Sequence, residues 1–75
     1  MTNTTNDFYF KLGKKIYTLR KATNLSREKF AEKAGLNDYY LGEIERGEKK
    51  ASIDKLFKIC QLLNLELHEL LNLNT

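Results

Sequence analysis

Residues 37–46 gather side chains that donate or accept hydrogen bonds: Asn37, Asp38, Tyr39, Glu43, Glu45 and Arg46, with Gly42 among them. Carboxylates only accept, a guanidinium only donates, and tyrosine does both, so this row suits recognition of a patterned polar surface. The chain as a whole carries a net charge of +3, which hints at an anionic partner. This stretch runs the other way, with three acids against one arginine. Catalysis finds no parts here. His68 and Cys60 are the single histidine and cysteine, and there is no glycine-rich phosphate loop. No nucleophile–base pair and no metal-spaced cluster can be assembled, so we expect no enzyme, no metal and no cofactor.

The elements that must position this row are short helices. Seventy-five residues, 41% of them hydrophobic and 31% charged, suit one small soluble domain. No apolar run approaches the roughly 18–20 residues of a membrane span, and the N-terminus lacks the pattern of a secretory signal. A cytoplasmic protein is expected. Residues 1–6 read as a disordered polar tail, and 7–75 as the domain. Leu12, Ile16 and Leu19 fall at i, i+4, i+7, marking a first helix that Asn24 closes. Ser26 caps a second, from Arg27 to Ala34, which buries Phe30, Ala31 and Ala34 and stops at Gly35. Asn37 caps the third, which Gly47 ends. Ser52 opens a fourth, with Ile53, Leu56, Phe57, Cys60 and Leu63 as its apolar stripe. Residues 66–71 make a last turn or two. The expectation is all-α, five helices, with a very tight turn between helices two and three.

That turn is the informative part. In "LSREKFAEKAGLNDYYLGEIERGE", Ala31 lets two helices cross closely, Gly35 permits a positive φ, and Leu36 plugs the corner. With "LGKKIYTLRK", "SIDKLFKIC" and "LELHELL" around it, the chain resembles the Cro/C1-type (XRE-like) helix-turn-helix family of phage repressors and small bacterial regulators. The resemblance covers about residues 10–71, and "YLGEIERGE" is its most specific segment. Ala51, Lys55, Phe30 and Arg27 depart from residues common in the family. The implied fold is a compact five-helix lambda-repressor-like domain whose third helix enters the major groove. The implied activity is sequence-specific binding of double-stranded DNA in transcriptional control, commonly as a dimer on a palindromic operator.

Helical geometry assigns sides to the third helix. At about 100° per residue, Leu41 and Ile44 define the buried direction, and Tyr39 and Arg46 point almost directly away from it. Asn37, Asp38, Tyr39, Gly42, Glu43 and Arg46 are therefore the base-reading candidates. Glu43 is the acid facing the groove, where it can accept from cytosine N4. Gly42 would let the helix backbone approach closely. Asp38 also suits the first turn, where the helix dipole favours an anion. The family resemblance implies that Glu45 turns inward to pair with Arg20. Attraction must come from elsewhere, and Arg27, Lys49 and Lys50 are the phosphate candidates.

The final leucines exceed what one short helix can bury. Leu67, Leu70, Leu71 and Leu73 are therefore candidates for a homodimer contact that spaces two reading helices about 34 Å apart. A rival reading within this fold is a protein-binding module, such as an antitoxin or a regulator's partner subunit. Among DNA binders, a restriction–modification controller and a phage- or plasmid-type repressor both fit.

Overall fold

The computed structural model describes residues 4–74, with side chains described from residue 7. Five helices follow one another: α1 (Thr4–Ala22), α2 (Arg27–Ala34), α3 (Asp38–Glu45), α4 (Ile53–Leu63) and α5 (Leu67–Leu70). The first starts three residues before the expected Asp7, because no glycine or proline interrupts the run there. Asp7 sits inside the helix and meets Lys11 one turn on, at 3.2 Å. Of the expected tail, residues 1–3 lie outside the described residues.

Caps explain the remaining boundaries. Ser26 and Ser52 accept from the backbone N–H of Lys29 and Lys55, and Asn37 accepts from Tyr39 and Tyr40. Each satisfies donors that a helix start leaves without partners. α2, α3 and α4 end alike, with a left-handed residue at Gly35, Gly47 and Asn64. In each, the next N–H reaches back to a carbonyl five residues earlier: Leu36 to Ala31, Glu48 to Glu43, Leu65 to Cys60. These are Schellman stops. At the last helix the Glu66 N–H donates to the Glu69 side chain at 2.8 Å. The ammonium of Lys15 donates to the Glu69 and Asn72 carbonyls, both at 2.6 Å. A lysine of α1 thus closes the carbonyl end of α5.

The core draws on every helix. Leu12 and Ile16 of α1 meet Phe30 and Ala31 of α2, Leu41 and Ile44 of α3, Leu56, Ile59 and Cys60 of α4, and Leu70 of α5. Two expectations change here. Ile53 and Phe57 belong to the expected α4 stripe, but they are 63% and 56% exposed, and Ile59 is buried instead. The apolar residues of α4 span more than one face, and against α2 and α5 it is Leu56, Ile59 and Cys60 that become buried. Leu70 is fully buried inside the monomer, so it is not available as a dimer contact. Leu67, Leu71 and Leu73 are half-buried against the same core.

One glycine sets the crossing of α1 on α3. A Cβ at Gly13 would lie 2.2 Å from the Ile44 carbonyl oxygen and 2.8 Å from that of Glu45. Both obstacles are backbone, so the helices must separate if the position gains a methyl. Intrinsic propensity alone would make Gly13→Ala stabilising by about 1 kcal/mol. We expect instead a loss of at least about 2 kcal/mol from overpacking, read as a fall in the urea midpoint at unchanged slope. A variant as stable as the parent would contradict the close crossing.

Candidate nucleic-acid interface

α3 is held from behind by Arg20. This arginine is buried, and its Nε and Nη2 donate to the two carboxylate oxygens of Glu45 at 2.6 and 3.2 Å. Its Nη1 donates to the Leu25 carbonyl at 3.1 Å, and its guanidinium lies 5.3 Å from the centre of the Tyr17 ring. One side chain therefore joins the end of α1, the loop before α2 and the last residue of α3. The fork matches the carboxylate in two bonds, which fixes orientation as well as distance. Among the described residues, no buried side-chain nitrogen or oxygen lacks a partner.

With Leu41 and Ile44 in the core and Glu45 on Arg20, the opposite face of α3 is presented outward. Tyr39 is 71% exposed, Arg46 is exposed, and Glu43 is half-buried beside them. Tyr40 turns back against the core. These placements follow the angular reading of the sequence. Asn37 stands at the tip of the helix, with its oxygen occupied by the cap bonds at 2.8 and 3.2 Å.

Two placements differ from expectation. Gly42 is buried, because the side chains of Arg27 and Arg46 close over it. The backbone there is covered by guanidinium groups rather than left open to a groove. Asp38 is half-buried, and its Oδ1 accepts from Arg27 Nε at 2.6 Å. It is thus engaged by α2. The hydrogen bond that Arg27 donates to Asp38, and that residue's charge, push its guanidinium above the ordinary pKa, and the hydrogen bond that Arg46 donates to Glu48 does the same for Arg46. Both arginines stay charged in any buffer. The Arg46–Glu48 pair spans 3.1 Å.

Sequence reasoning missed Arg27–Asp38 and Arg46–Glu48. The first had a usable signal: in a helix-turn-helix the starts of helices two and three approach, and opposite charges stand at both. The basic flank is completed by Lys49 and Lys50, both exposed in the loop between α3 and α4. Arg27 thus stands at the front of α2 and the two lysines beyond the far end of α3, with the outward face between.

Other polar groups lie apart from this face. Cys60 is buried in the core, and burial pushes its thiol above the ordinary pKa, so it is a poor nucleophile at neutral pH. His68 is exposed on α5. Among the described residues, no cluster of three or more His, Cys, Asp or Glu is arranged to hold a metal ion. An open groove of about 510 Å³ runs along α1, lined by Lys11, Lys14, Lys15, Thr18, Leu19 and Leu73. It shares no residue with α3. No helix among the described residues is long and apolar enough to cross a membrane.

Comparison with known proteins places this architecture. Residues 16–70 match the family HTH_3, described as helix-turn-helix. The control protein C.BamHI of Bacillus amyloliquefaciens is 33% identical over 72 residues, which cover 95% of this chain and 89% of that protein. The crystal structure of the restriction–modification controller protein C.AhdI from Aeromonas hydrophila superposes with a TM-score of 0.79 at 35% identity. That alignment covers 83% of this chain and 94% of the other. The structure of SinR, a master regulator for biofilm formation, in complex with DNA superposes with a TM-score of 0.77 at 37% identity. Here 81% of this chain and 98% of SinR are covered. A matched span from α1 to α5, over a turn closed by Gly35 and a helix seated by Arg20, leaves one assignment: the chain belongs to the helix-turn-helix family of regulators.

Proposed function

We propose that this protein is a sequence-specific regulator of transcription that reads double-stranded DNA through the major groove with α3, in the manner of a restriction–modification controller. The observation that carries the reading is the outward face of α3, with Tyr39 and Arg46 projecting and Glu43 beside them, flanked by Arg27, Lys49 and Lys50. The likeness to C.BamHI and C.AhdI over most of both chains favours a controller over a phage-type repressor. This reading goes with a protein that works in the cytoplasm, where a bacterial operator would be met.

Within this reading, Tyr39 contacts a thymine methyl or a phosphate, and Glu43 accepts from cytosine N4 while repelling misplaced phosphates. Lys49 and Lys50 hold the backbone beyond the far end of the helix. Asn37 keeps its capping oxygen and offers its amide to a phosphate. Asp38 acts through Arg27 rather than on a base. Selection of bound sequences from random DNA at stated salt tests the proposal. Enrichment of a two-fold symmetric site is expected, and Glu43→Gln should change the preferred base at one position in each half. No enrichment, with any binding insensitive to salt, would contradict it and favour a protein partner.

The dimer is assigned to the exposed side of α4 rather than to the final leucines. Leu70 is consumed by the core, whereas Ile53 and Phe57 stand one turn apart on a face that stays largely exposed among the described residues. A second copy of the chain, packed there about a two-fold axis, would cover both and pair two reading helices with two half-sites. Because Phe57 is exposed, Phe57→Lys should leave the melting temperature within a few degrees. We expect it to weaken dimerisation at least about tenfold by sedimentation. Unchanged self-association would place the interface elsewhere.

A further inference from the structure

The covering of Gly42 carries a consequence for how DNA is held. A Cβ on this residue would sit 3.0 Å from Arg27 Nη1, 3.3 Å from Arg27 Cζ and 3.1 Å from Arg46 Nη1. Two guanidinium groups, one from the start of α2 and one from the end of α3, therefore converge over a single glycine. Like charges do not gather on a protein surface without compensation. Here the compensation lies at one edge of each group. Asp38 takes Arg27 Nε at 2.6 Å, and Glu48 takes Arg46 Nε at 3.1 Å. The Nη1 atoms are the ones that meet over Gly42. Both arginine side chains remain close to half exposed, at 41% and 48%, so the pair is open to a ligand.

We propose that Arg27 and Arg46 form one two-guanidinium clamp on a single backbone phosphate of the DNA, with Gly42 as the clearance that lets them meet and Asp38 and Glu48 as the residues that orient them. This rests on the DNA-binding reading and says how one part of that site works. Oxyanion chemistry fits the arrangement, since converging N–H donors with fixed Nε edges match the oxygens of a phosphodiester. A guanine edge offers similar acceptors. The phosphate is the better occupant because Arg27 brings the start of α2 to the site, at the seam between α2 and α3. At that N-terminus the helix dipole favours an anion. The carboxylates keep their places when the phosphate binds. Asp38 then serves attraction indirectly, although its own charge opposes DNA.

The clamp makes a distinctive statement about additivity. Two arginines on separate phosphates would contribute independently, whereas two on one phosphate are coupled. The experiment uses the full chain, its selected operator and a random duplex of equal length, over a salt series. Arg27→Gln and Arg46→Gln should each weaken both duplexes by roughly tenfold. The double variant should lose much less than the hundredfold of independent contacts, and the salt slope should fall by about one unit rather than two. Gly42→Ala keeps every charge and favours the helix, and only flexible side-chain ends oppose its methyl. It should fold as the parent does by circular dichroism and still bind both duplexes several-fold more weakly. Independent losses with a slope change of two would overturn the clamp, as would a Gly42→Ala protein that binds like the parent. Loss confined to one guanine of the operator would assign the pair to a base and overturn the phosphate. If the parent binds neither duplex, the DNA reading itself falls, which these other outcomes leave standing.

Discussion

The buried guanidinium of Arg20 is the constraint on which the rest of this structure depends. Its N–H donors have few places to go inside a domain of this size, and three hydrogen bonds tie them to Glu45 and the Leu25 carbonyl. Removing a charge like this from water costs several kcal/mol, and only a well-formed pair with further hydrogen bonds offsets it. Such a pair contributes little net stability over an apolar substitute. What it contributes is register: Glu45 meets the fork in one rotation of α3 about its axis. Gly13 supplies the matching steric condition, since the backbone of α1 lies directly against the Ile44 and Glu45 carbonyls. Attraction at Arg20 and clearance at Gly13 together set the depth and the angle of α3.

Rotation decides what the acidic residues of this region do. With Glu45 turned inward, Asp38 reaches α2 at Arg27, and Glu48 reaches back to Arg46. Three of the four acids between residues 37 and 48 are therefore engaged with arginines. Glu43 is left on the outward side, between Tyr39 and Arg46. The acidic character of the segment is thus mostly internal pairing, and the helix can face a polyanion without presenting a field of carboxylates. On the proposed DNA-binding reading, a single outward carboxylate remains to penalise the wrong base.

Local chemistry made much of the fold legible in the sequence. Ser26, Asn37 and Ser52 were readable as caps because a short polar oxygen before an apolar-periodic run has few other uses. Asn24, Gly35 and Gly47 were readable as stops for the complementary reason. The angles around α3 followed from Leu41 and Ile44 alone. Pairing at a distance was less accessible. Arg20–Glu45 was expected only through the family resemblance, and Lys15 capping α5 from α1 left no local mark. Gly13 looks in the sequence like any helix glycine; only the crossing of another backbone shows why it is there. The α4 stripe misled because periodicity states which side is apolar and not how much of it a neighbour covers. Ile53 and Phe57 obey the helical period and remain outside.

The most direct test of this account is a double-mutant cycle at Arg20 and Glu45, with unfolding free energies from urea titration. Arg20→Met and Glu45→Met should each cost roughly 3–5 kcal/mol, because each strands a buried charge. The double variant should be markedly more stable than the sum of the two losses predicts, yet bind operator more weakly than its recovered stability would suggest, since α3 has lost its register. Two small losses that add, with operator binding unchanged, would contradict the claim that this pair seats the reading helix.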